Sequence, residues 1–194
     1  MADTPTAHVK LDDAHYRNWH LARDEHGAVT TDFEWSVLRF QQAFERYVMQ
    51  LAAVCGMPEL SFPEIVILHV IRMQERPKTA AVIARQINRD DIPNIQYSLR
   101  KLVKLKLARK VRESGGKIFA YDVTKRGRLV LDRYADLRNE VLTQQMTNIE
   151  DIGRKLRDTA RLLSLLTGLY DEAGRVSASY STVTTAGDTT DGED

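Results

Sequence analysis

The feature that most constrains the fold is a strongly amphipathic segment, residues 92–105, followed at once by two alternating segments around a glycine pair. Apolar side chains recur along the first segment with the i, i+3, i+7 spacing of one helix face. A helix of this kind rests on a scaffold with its apolar face and leaves the opposite face in solvent. The apolar positions are Ile92, Ile95, Leu99, Leu102 and Val103.

The two segments after this helix, residues 107–114 and 117–124, alternate apolar and polar side chains. Period-two alternation predicts strands, and Ser114-Gly115-Gly116 supplies the positive-φ residues of a tight turn. The sequence therefore predicts a β-hairpin over residues 108–123.

Two shorter helices are predicted before residue 92. Ser61 and Glu64 have the spacing of a capping box, and Pro63 suits the first turn of a helix that runs to about Met73. A second helix, residues 79–87, has Thr79 as its N-cap candidate.

The connection to the amphipathic helix is short, with Asp90 or Asp91 placed to cap the helix that follows. Two short helices joined by a tight turn and followed by a hairpin form a winged helix-turn-helix, in which the hairpin is called the wing. The core of this domain is expected at about residues 61–127.

Long helices are predicted on both sides. From Phe33 to Leu51, apolar side chains recur at alternating spacings of 4 and 3 and form one seam along a predicted helix of about 23 residues. This seam suits either burial within the domain or contact with another subunit. After the hairpin, Thr124 can cap a helix with the stripe Val130, Tyr134, Leu137 and Val141, and Thr147 with Glu150 form a second capping box that opens a last helix.

The expected fold class is therefore mainly α with a small β-hairpin: a winged helix-turn-helix domain with long flanking dimerisation helices. Residues 1–30 form a polar arm, residues 31–170 the domain, and residues 171–194 an acidic tail rich in Ser and Thr. Because that tail has few groups to bury, we expect it to be disordered.

Charge is segregated along the chain. Residues 85–128 contain thirteen Lys and Arg against four Asp and Glu, a net charge of +9, whereas the whole chain has a net charge of +1. The remaining residues therefore sum to −8. A concentrated basic segment in an otherwise acidic chain favours a polyanionic partner.

The exposed face of the amphipathic helix has the chemistry of a DNA major-groove surface. Amides such as Asn94 and Gln96 can pair with adenine, and Arg100 can bind guanine through two hydrogen bonds. Lys101 and Lys104 suit phosphates, because a lysine ammonium is a point charge. Tyr97 shares this face, and at the hairpin Arg112 and Lys117 can reach the DNA backbone or the minor groove.

Other classes of function find little support in the sequence. The single cysteine, Cys55, excludes an intrachain disulfide, no apolar run has the roughly 18 residues of a membrane span, and the N-terminal segment predicts no signal peptide, so a cytoplasmic location is expected. We find no catalytic constellation and expect neither enzyme activity nor a cofactor. The histidines lack the spacing of a zinc site, so no metal is expected; they are His8, His15, His20, His26 and His69.

Three alternatives stay open at this point. A basic helix face is often only solvated, a winged helix can bind protein as an adaptor, and an architectural protein binds DNA with little base preference. A strong fall in DNA affinity with added salt would separate the DNA-binding functions from the adaptor, because phosphate contacts release counterions.

Residues 79–87, 92–111 and 119–127 resemble the winged-helix core of MarR-type transcriptional regulators, and the resemblance extends over roughly residues 31–170. The step Val123-Thr124-Lys125-Arg126-Gly127 is similar to the leucine-threonine-x-x-glycine step by which that family leaves its wing. The resemblance implies a homodimer on double-stranded DNA with an inverted repeat. It also implies a small-molecule effector, or another signal, that shifts the spacing of the two recognition helices, which are residues 92–105 of each subunit.

This sequence departs from the family pattern at two sites, and in addition residues 1–30 and 171–194 have no counterpart in that pattern. Lys106 stands where the family has a glycine after the recognition helix. The acidic-x-arginine signature of the wing is missing, which leaves Arg112 or Lys117 as its substitutes.

Overall fold

The computed structural model describes residues 19–112 and 119–180, and it confirms a mainly helical fold with one β-hairpin. The chain divides into two compact units, with the boundary between Arg138 and Asn139. The first unit contains α1 (Glu25–Val54), α2 (Phe62–Arg72), α3 (Ala80–Gln86), α4 (Ile92–Lys104), β1 (Ala108–Arg112), β2 (Phe119–Val123) and α5 (Lys125–Arg138). The second contains a π-helical turn (Asn139–Thr143), a short helical turn (Gln144–Met146) and α6 (Ile152–Tyr180).

Helix α2 is the centre of the first unit, where it packs against α1, α3, α4, α5 and β2. Its start confirms the predicted capping box, because the Glu64 carboxylate accepts the backbone N–H of Ser61 at 2.7 Å, with Pro63 in the first turn. Eight of the eleven side chains of α2 are apolar, and Ile65, Ile67 and Leu68 are fully buried, whereas Phe62 and Val66 are only partly buried.

The predicted hairpin is also confirmed. The antiparallel register runs from the pair Ala108 and Val123 to the pair Arg112 and Phe119. Lys78 forms an isolated β-bridge to β2, since its N–H donates to the Tyr121 carbonyl at 3.0 Å and its carbonyl accepts from the Tyr121 N–H at 2.8 Å. The predicted turn at residues 114–116 lies outside the described residues.

The turn after α4 is built as a glycine turn although Lys106 occupies it. Lys106 has a φ of 59°, and the N–H of Leu107 donates to the Leu102 carbonyl at 3.0 Å, as in a Schellman motif. The lysine Cβ in this left-handed conformation costs about 1 kcal/mol. The departure from the family pattern therefore changes the residue and not the turn.

Some predicted boundaries were wrong. Helix α1 begins at Glu25, earlier than expected, with the Asp24 carboxylate accepting the Gly27 N–H at 2.7 Å. Val141 lies in the π-helical turn and not on α5.

The second capping box does not form either. Helix α6 starts at Ile152, and the Thr147 hydroxyl instead donates to the Gln144 carbonyl at 2.6 Å. Asp151 has a φ of 55°, which interrupts the helical conformation before α6, and its backbone carbonyl then accepts the N–H groups of Arg154 and Lys155 in the new helix.

Helix α6 continues to Tyr180 and so includes the first part of the segment expected to be disordered. Val176 and Tyr180 continue the helical spacing of the apolar side chains, and Arg175 pairs with Glu172 three residues earlier. Residues 181–194 lie outside the described residues. None of the helices among the described residues is long and apolar enough to cross a membrane.

Both long helices expose apolar side chains. In α1, Leu51 is buried in the core of its unit, whereas Phe40 is 68% and Phe44 43% exposed. The predicted apolar seam of α1 is therefore exposed in the middle of the helix and buried in the core near its C-terminal end. In α6 no residue is buried, and Leu165 and Leu169 are 69% and 65% exposed.

A small polar cluster lies inside the first unit, where α2 meets α1 and α5. The rings of His69 and Tyr134 meet edge to face, with their centroids 4.5 Å apart. Among the described residues, Nε2 of His69 and the hydroxyl of Tyr47 are buried without a hydrogen-bond partner. Burial, helped by the charges of Arg138 and Arg72, lowers the pKa of His69 to about 4.

The protein is therefore expected to lose stability as the pH falls from about 6.5 to about 4. In this window the unfolded chain binds a proton at His69 that the folded chain does not, so the free energy of unfolding decreases by about 3 kcal/mol. Urea unfolding of the wild type and of His69→Leu at several pH values measures the effect. The variant should show the flatter profile, and identical slopes would contradict this assignment.

Candidate nucleic-acid interface

Helix α4 separates its apolar and polar faces as the sequence predicts. Ile95, Leu99 and Leu102 are at most 1% exposed and hold the helix on α2 and α3. The opposite side lies in solvent and contains most of the predicted DNA-contacting residues, namely Asn94, Gln96, Tyr97, Arg100 and Lys104. The exposure of this face is confirmed, and the contacts assigned to each side chain stay predictions.

Two side chains on this face contact each other. The Arg100 guanidinium lies over the Tyr97 ring, 5.9 Å from its centroid, and Tyr97 is 62% exposed. Such a contact restricts the arginine without using any of its N–H groups. The contact with Tyr97 therefore leaves the N–H donors of Arg100 available.

Lys101 is placed differently from its neighbours. Its ammonium donates to the Glu64 carboxylate at 2.7 Å and to the Glu59 carbonyl at 2.8 Å, so the side chain ties α4 to the start of α2. Burial raises the pKa of Glu64, but the hydrogen bonds from Lys101 and Ser61 outweigh this effect and hold the pKa below its usual value. The phosphate contact predicted for Lys101 stays a prediction, and in this structure its ammonium is bound within the protein.

The wing adds a second basic group beside α4. Lys110 and Arg112 both lie over the Phe119 ring, with Nζ of Lys110 at 5.4 Å and the Arg112 guanidinium at 5.2 Å from its centroid. Arg112 is exposed, as a contact to DNA requires. Lys117, the other predicted wing contact, lies outside the described residues.

A groove of about 450 Å³ separates α4 from the wing. Its walls combine apolar side chains from α3 and β2 with polar and basic side chains from α4 and β1. The lining residues are Thr79, Ala80, Ala81, Ile92, Gln96, Arg100, Lys110, Phe119 and Tyr121. The groove brings Gln96 and Arg100 of the helix into one surface with the basic strand β1.

Ion pairs fix the wing to its surroundings. Arg109 donates from Nε and Nη2 to the same oxygen of Asp122, at 3.2 and 2.7 Å, across the hairpin. The other Asp122 oxygen lies 3.7 Å from the Arg128 guanidinium on α5. Asp122 is only 8% exposed, and its two arginine partners link β2 to β1 and to α5.

Sequence reasoning missed Lys110, Phe119 and Arg109 at this surface. Alternation within 107–114 and 117–124 gives strands but not which residues of the two strands face each other, since register depends on the turn.

Comparisons with known proteins agree with this architecture. Residues 60–127 match a family model described as a winged helix DNA-binding domain. BldR from Sulfolobus solfataricus superposes with a TM-score of 0.55 at 20% identity, over 70% of this chain and 94% of that one. A MarR family transcriptional regulator from Rhodococcus sp. RHA1 gives 0.56 at 16% identity, over 69% and 93%.

The chain has the winged-helix fold of MarR-type regulators.

A third structure with this MarR-type fold is MosR from Mycobacterium tuberculosis, solved in complex with DNA, with a TM-score of 0.53 at 20% identity over 73% of this chain and 96% of that one. No curated protein sequence matches the chain. The family match covers the predicted core, residues 61–127, and so includes α4, the wing and the groove between them.

Proposed function

We propose that this protein is a sequence-specific DNA-binding transcriptional regulator that acts as a homodimer. Helix α4 enters the major groove, and the wing, residues 108–123, lies on the flanking groove. The observation that carries the proposal is the construction of α4. Its apolar face is buried, while amide, guanidinium and ammonium groups are exposed on the other side, within a matched winged helix DNA-binding domain.

The roles follow from hydrogen-bonding chemistry. Arg100, held over Tyr97, offers the two donors that guanine O6 and N7 accept, and Gln96 has the donor and acceptor that match adenine. Lys104, in the last turn of α4, binds phosphate. Arg112 on the wing adds a contact outside the recognised half-site.

The exposed apolar side chains of α1 and α6 support the homodimer. Phe40, Phe44, Leu165 and Leu169 are large, and a soluble protein seldom leaves so many in solvent. In a two-fold dimer, both recognition helices meet the same face of the duplex, so the half-sites form an inverted repeat about 10 base pairs apart, centre to centre. A small-molecule effector would act by changing this spacing.

Selection of bound fragments from random DNA, followed by footprinting, tests the proposal. We expect a protected inverted repeat and an affinity that falls by about a thousand-fold or more between 50 and 200 mM salt. Arg100→Ala should relax the preference at one position of each half-site and cost about 1–3 kcal/mol there. Lys104→Ala should weaken all sequences alike and lower the salt slope by about one for each half-site.

The outcomes separate the alternatives. No saturable, salt-dependent binding would favour a protein adaptor. Salt-dependent binding without base preference, or protection without a dyad, would favour an architectural protein.

A further inference from the structure

The connection between α3 and α4 has a fixed backbone. Asn88 adopts a φ of 51°, and the N–H of Arg89 donates to the Ala84 carbonyl at 3.0 Å, which is the Schellman arrangement at the end of α3. The Arg89 side chain therefore extends from a defined backbone position three residues before the start of α4. In a helix-turn-helix the N-terminal residues of the second helix contact base edges, so this position lies at the front of the recognition surface.

Asp91 occupies the N-cap position of α4, but its carboxylate accepts no backbone N–H of the helix. Instead it accepts from Nε of Arg89 at 2.9 Å, from Nη2 of Arg89, and from Nδ2 of Asn94 at 3.0 Å. An aspartate at this position normally stabilises its helix by about 1 kcal/mol through capping. Here the Asp91 carboxylate instead binds the exposed side chains of Arg89 and Asn94 and so restricts their orientations.

The hydrogen bonds leave particular groups open. Arg89 is exposed and uses its Nε side for Asp91, so the other edge of the guanidinium, with Nη1 and the second hydrogen of Nη2, has two donors that Asp91 does not occupy. These donors match O6 and N7 of guanine. Asn94 keeps Oδ1 and one N–H, which match N6 and N7 of adenine.

We propose that Arg89 reads a guanine in each half-site and that Asp91 is its positioning residue, which also orients Asn94. The Asp91 charge balances that of Arg89, so the pair favours base edges over phosphates. The inference rests on the proposed DNA-binding function. It adds to the recognition surface a residue outside the helix. It also predicts that a guanine and an adenine are contacted by two side chains, Arg89 and Asn94, that one carboxylate orients.

The test measures binding of the full chain to its selected site and to every single-base variant of that site. Wild-type protein should lose about ten-fold or more when the guanine is replaced. Arg89→Lys keeps the charge but not the two-donor edge, so the loss at this guanine should shrink to about two-fold while preferences elsewhere persist. The control, Arg85→Lys in the last turn of α3, should keep the wild-type preference at every position.

Asp91→Asn gives the second readout. It should weaken the preference at the guanine and at the adenine, and it should raise the affinity for random DNA, because a negative charge near phosphates is removed. A role in folding alone would produce neither change, and circular dichroism checks that the helices are intact. Wild-type base preferences in both Arg89→Lys and Asp91→Asn would overturn this inference and leave the proposed function standing. A wild-type protein without any base preference would overturn both.

Discussion

Replacing Gly127 by alanine is expected to lower the free energy of unfolding by about 3 kcal/mol. Gly127 lies in the first turn of α5, and its N–H donates to the Thr124 hydroxyl at 3.0 Å, which confirms Thr124 as the cap of this helix. A Cβ added at Gly127 would lie 2.1 Å from the carbonyl oxygen of Leu107. Two backbone segments meet here, and no flexible side chain can move aside.

The surrounding hydrogen bonds prevent an easy adjustment. The Leu107 carbonyl accepts the Thr124 N–H at 3.0 Å, and the Thr124 hydroxyl donates to the Lys106 carbonyl at 2.6 Å. Moving either segment would break the junction that joins the end of α4 to the start of α5. This contact also explains physically why a glycine follows the wing in the step that resembles the MarR family.

Gly168→Ala is the matched control. Gly168 is in the middle of α6, where an added Cβ meets nothing within 4 Å. Alanine there should stabilise the helix by up to about 1 kcal/mol. Urea unfolding of the two variants against wild type makes the comparison, and a Gly127→Ala protein as stable as Gly168→Ala would contradict the backbone-contact argument. Failure of Gly127→Ala to accumulate as folded protein would agree with it.

Features with a local cause were predictable from the sequence. The two faces of α4 follow from apolar spacing, the start of α2 from Ser61 and Glu64, and the hairpin from alternation around a glycine pair. Each of these signals lies within a few residues of its consequence. The same holds for the caps at Thr79 and Thr124, whose hydroxyls accept N–H groups three residues on.

Features that depend on distant residues were not predictable. In the sequence Lys101 is indistinguishable from its exposed neighbours, but its ammonium forms an ion pair with Glu64, which lies 37 residues earlier in the chain. The use of Asp91 for Arg89 and Asn94 competes with ordinary capping, and the sequence permits both. The predicted start of α6 was wrong for a similar reason. The spacing of Thr147 and Glu150 allows a capping box, but the helix begins only after Asp151.

Charged substitutions in α6 are expected to abolish the proposed homodimer. The apolar side chains of α6 form two neighbouring rows, and Leu163 of one row and Leu169 of the other are 39% and 65% exposed. A glutamate at either position costs the single chain little, because these side chains already lie in solvent. In a dimer the same glutamate would be buried against apolar surface, and the penalty of an unpaired buried charge is about 3–5 kcal/mol.

Ser164→Glu is the control, since it adds the same charge on the opposite, polar side of α6. Sedimentation equilibrium over a range of protein concentrations should give dimers for wild type and Ser164→Glu, and monomers for Leu163→Glu and Leu169→Glu. Circular dichroism should show equal helix content in all four proteins. Dimers of wild-type strength in both leucine variants would place the subunit contact elsewhere.

The effect on DNA binding should exceed that of any single contact to DNA. In the dimer, the second recognition helix binds at an effective concentration fixed by the first, so losing the dimer lowers affinity for the inverted repeat by about 10²–10⁴. The monomeric variants should still bind an isolated half-site as wild-type chains do, because α4 and the wing are unchanged. Binding measured on the full repeat and on one half-site therefore separates loss of assembly from loss of recognition. An equal fall on both DNA fragments would show that α6 supports the DNA-binding unit itself and not the pairing of two copies.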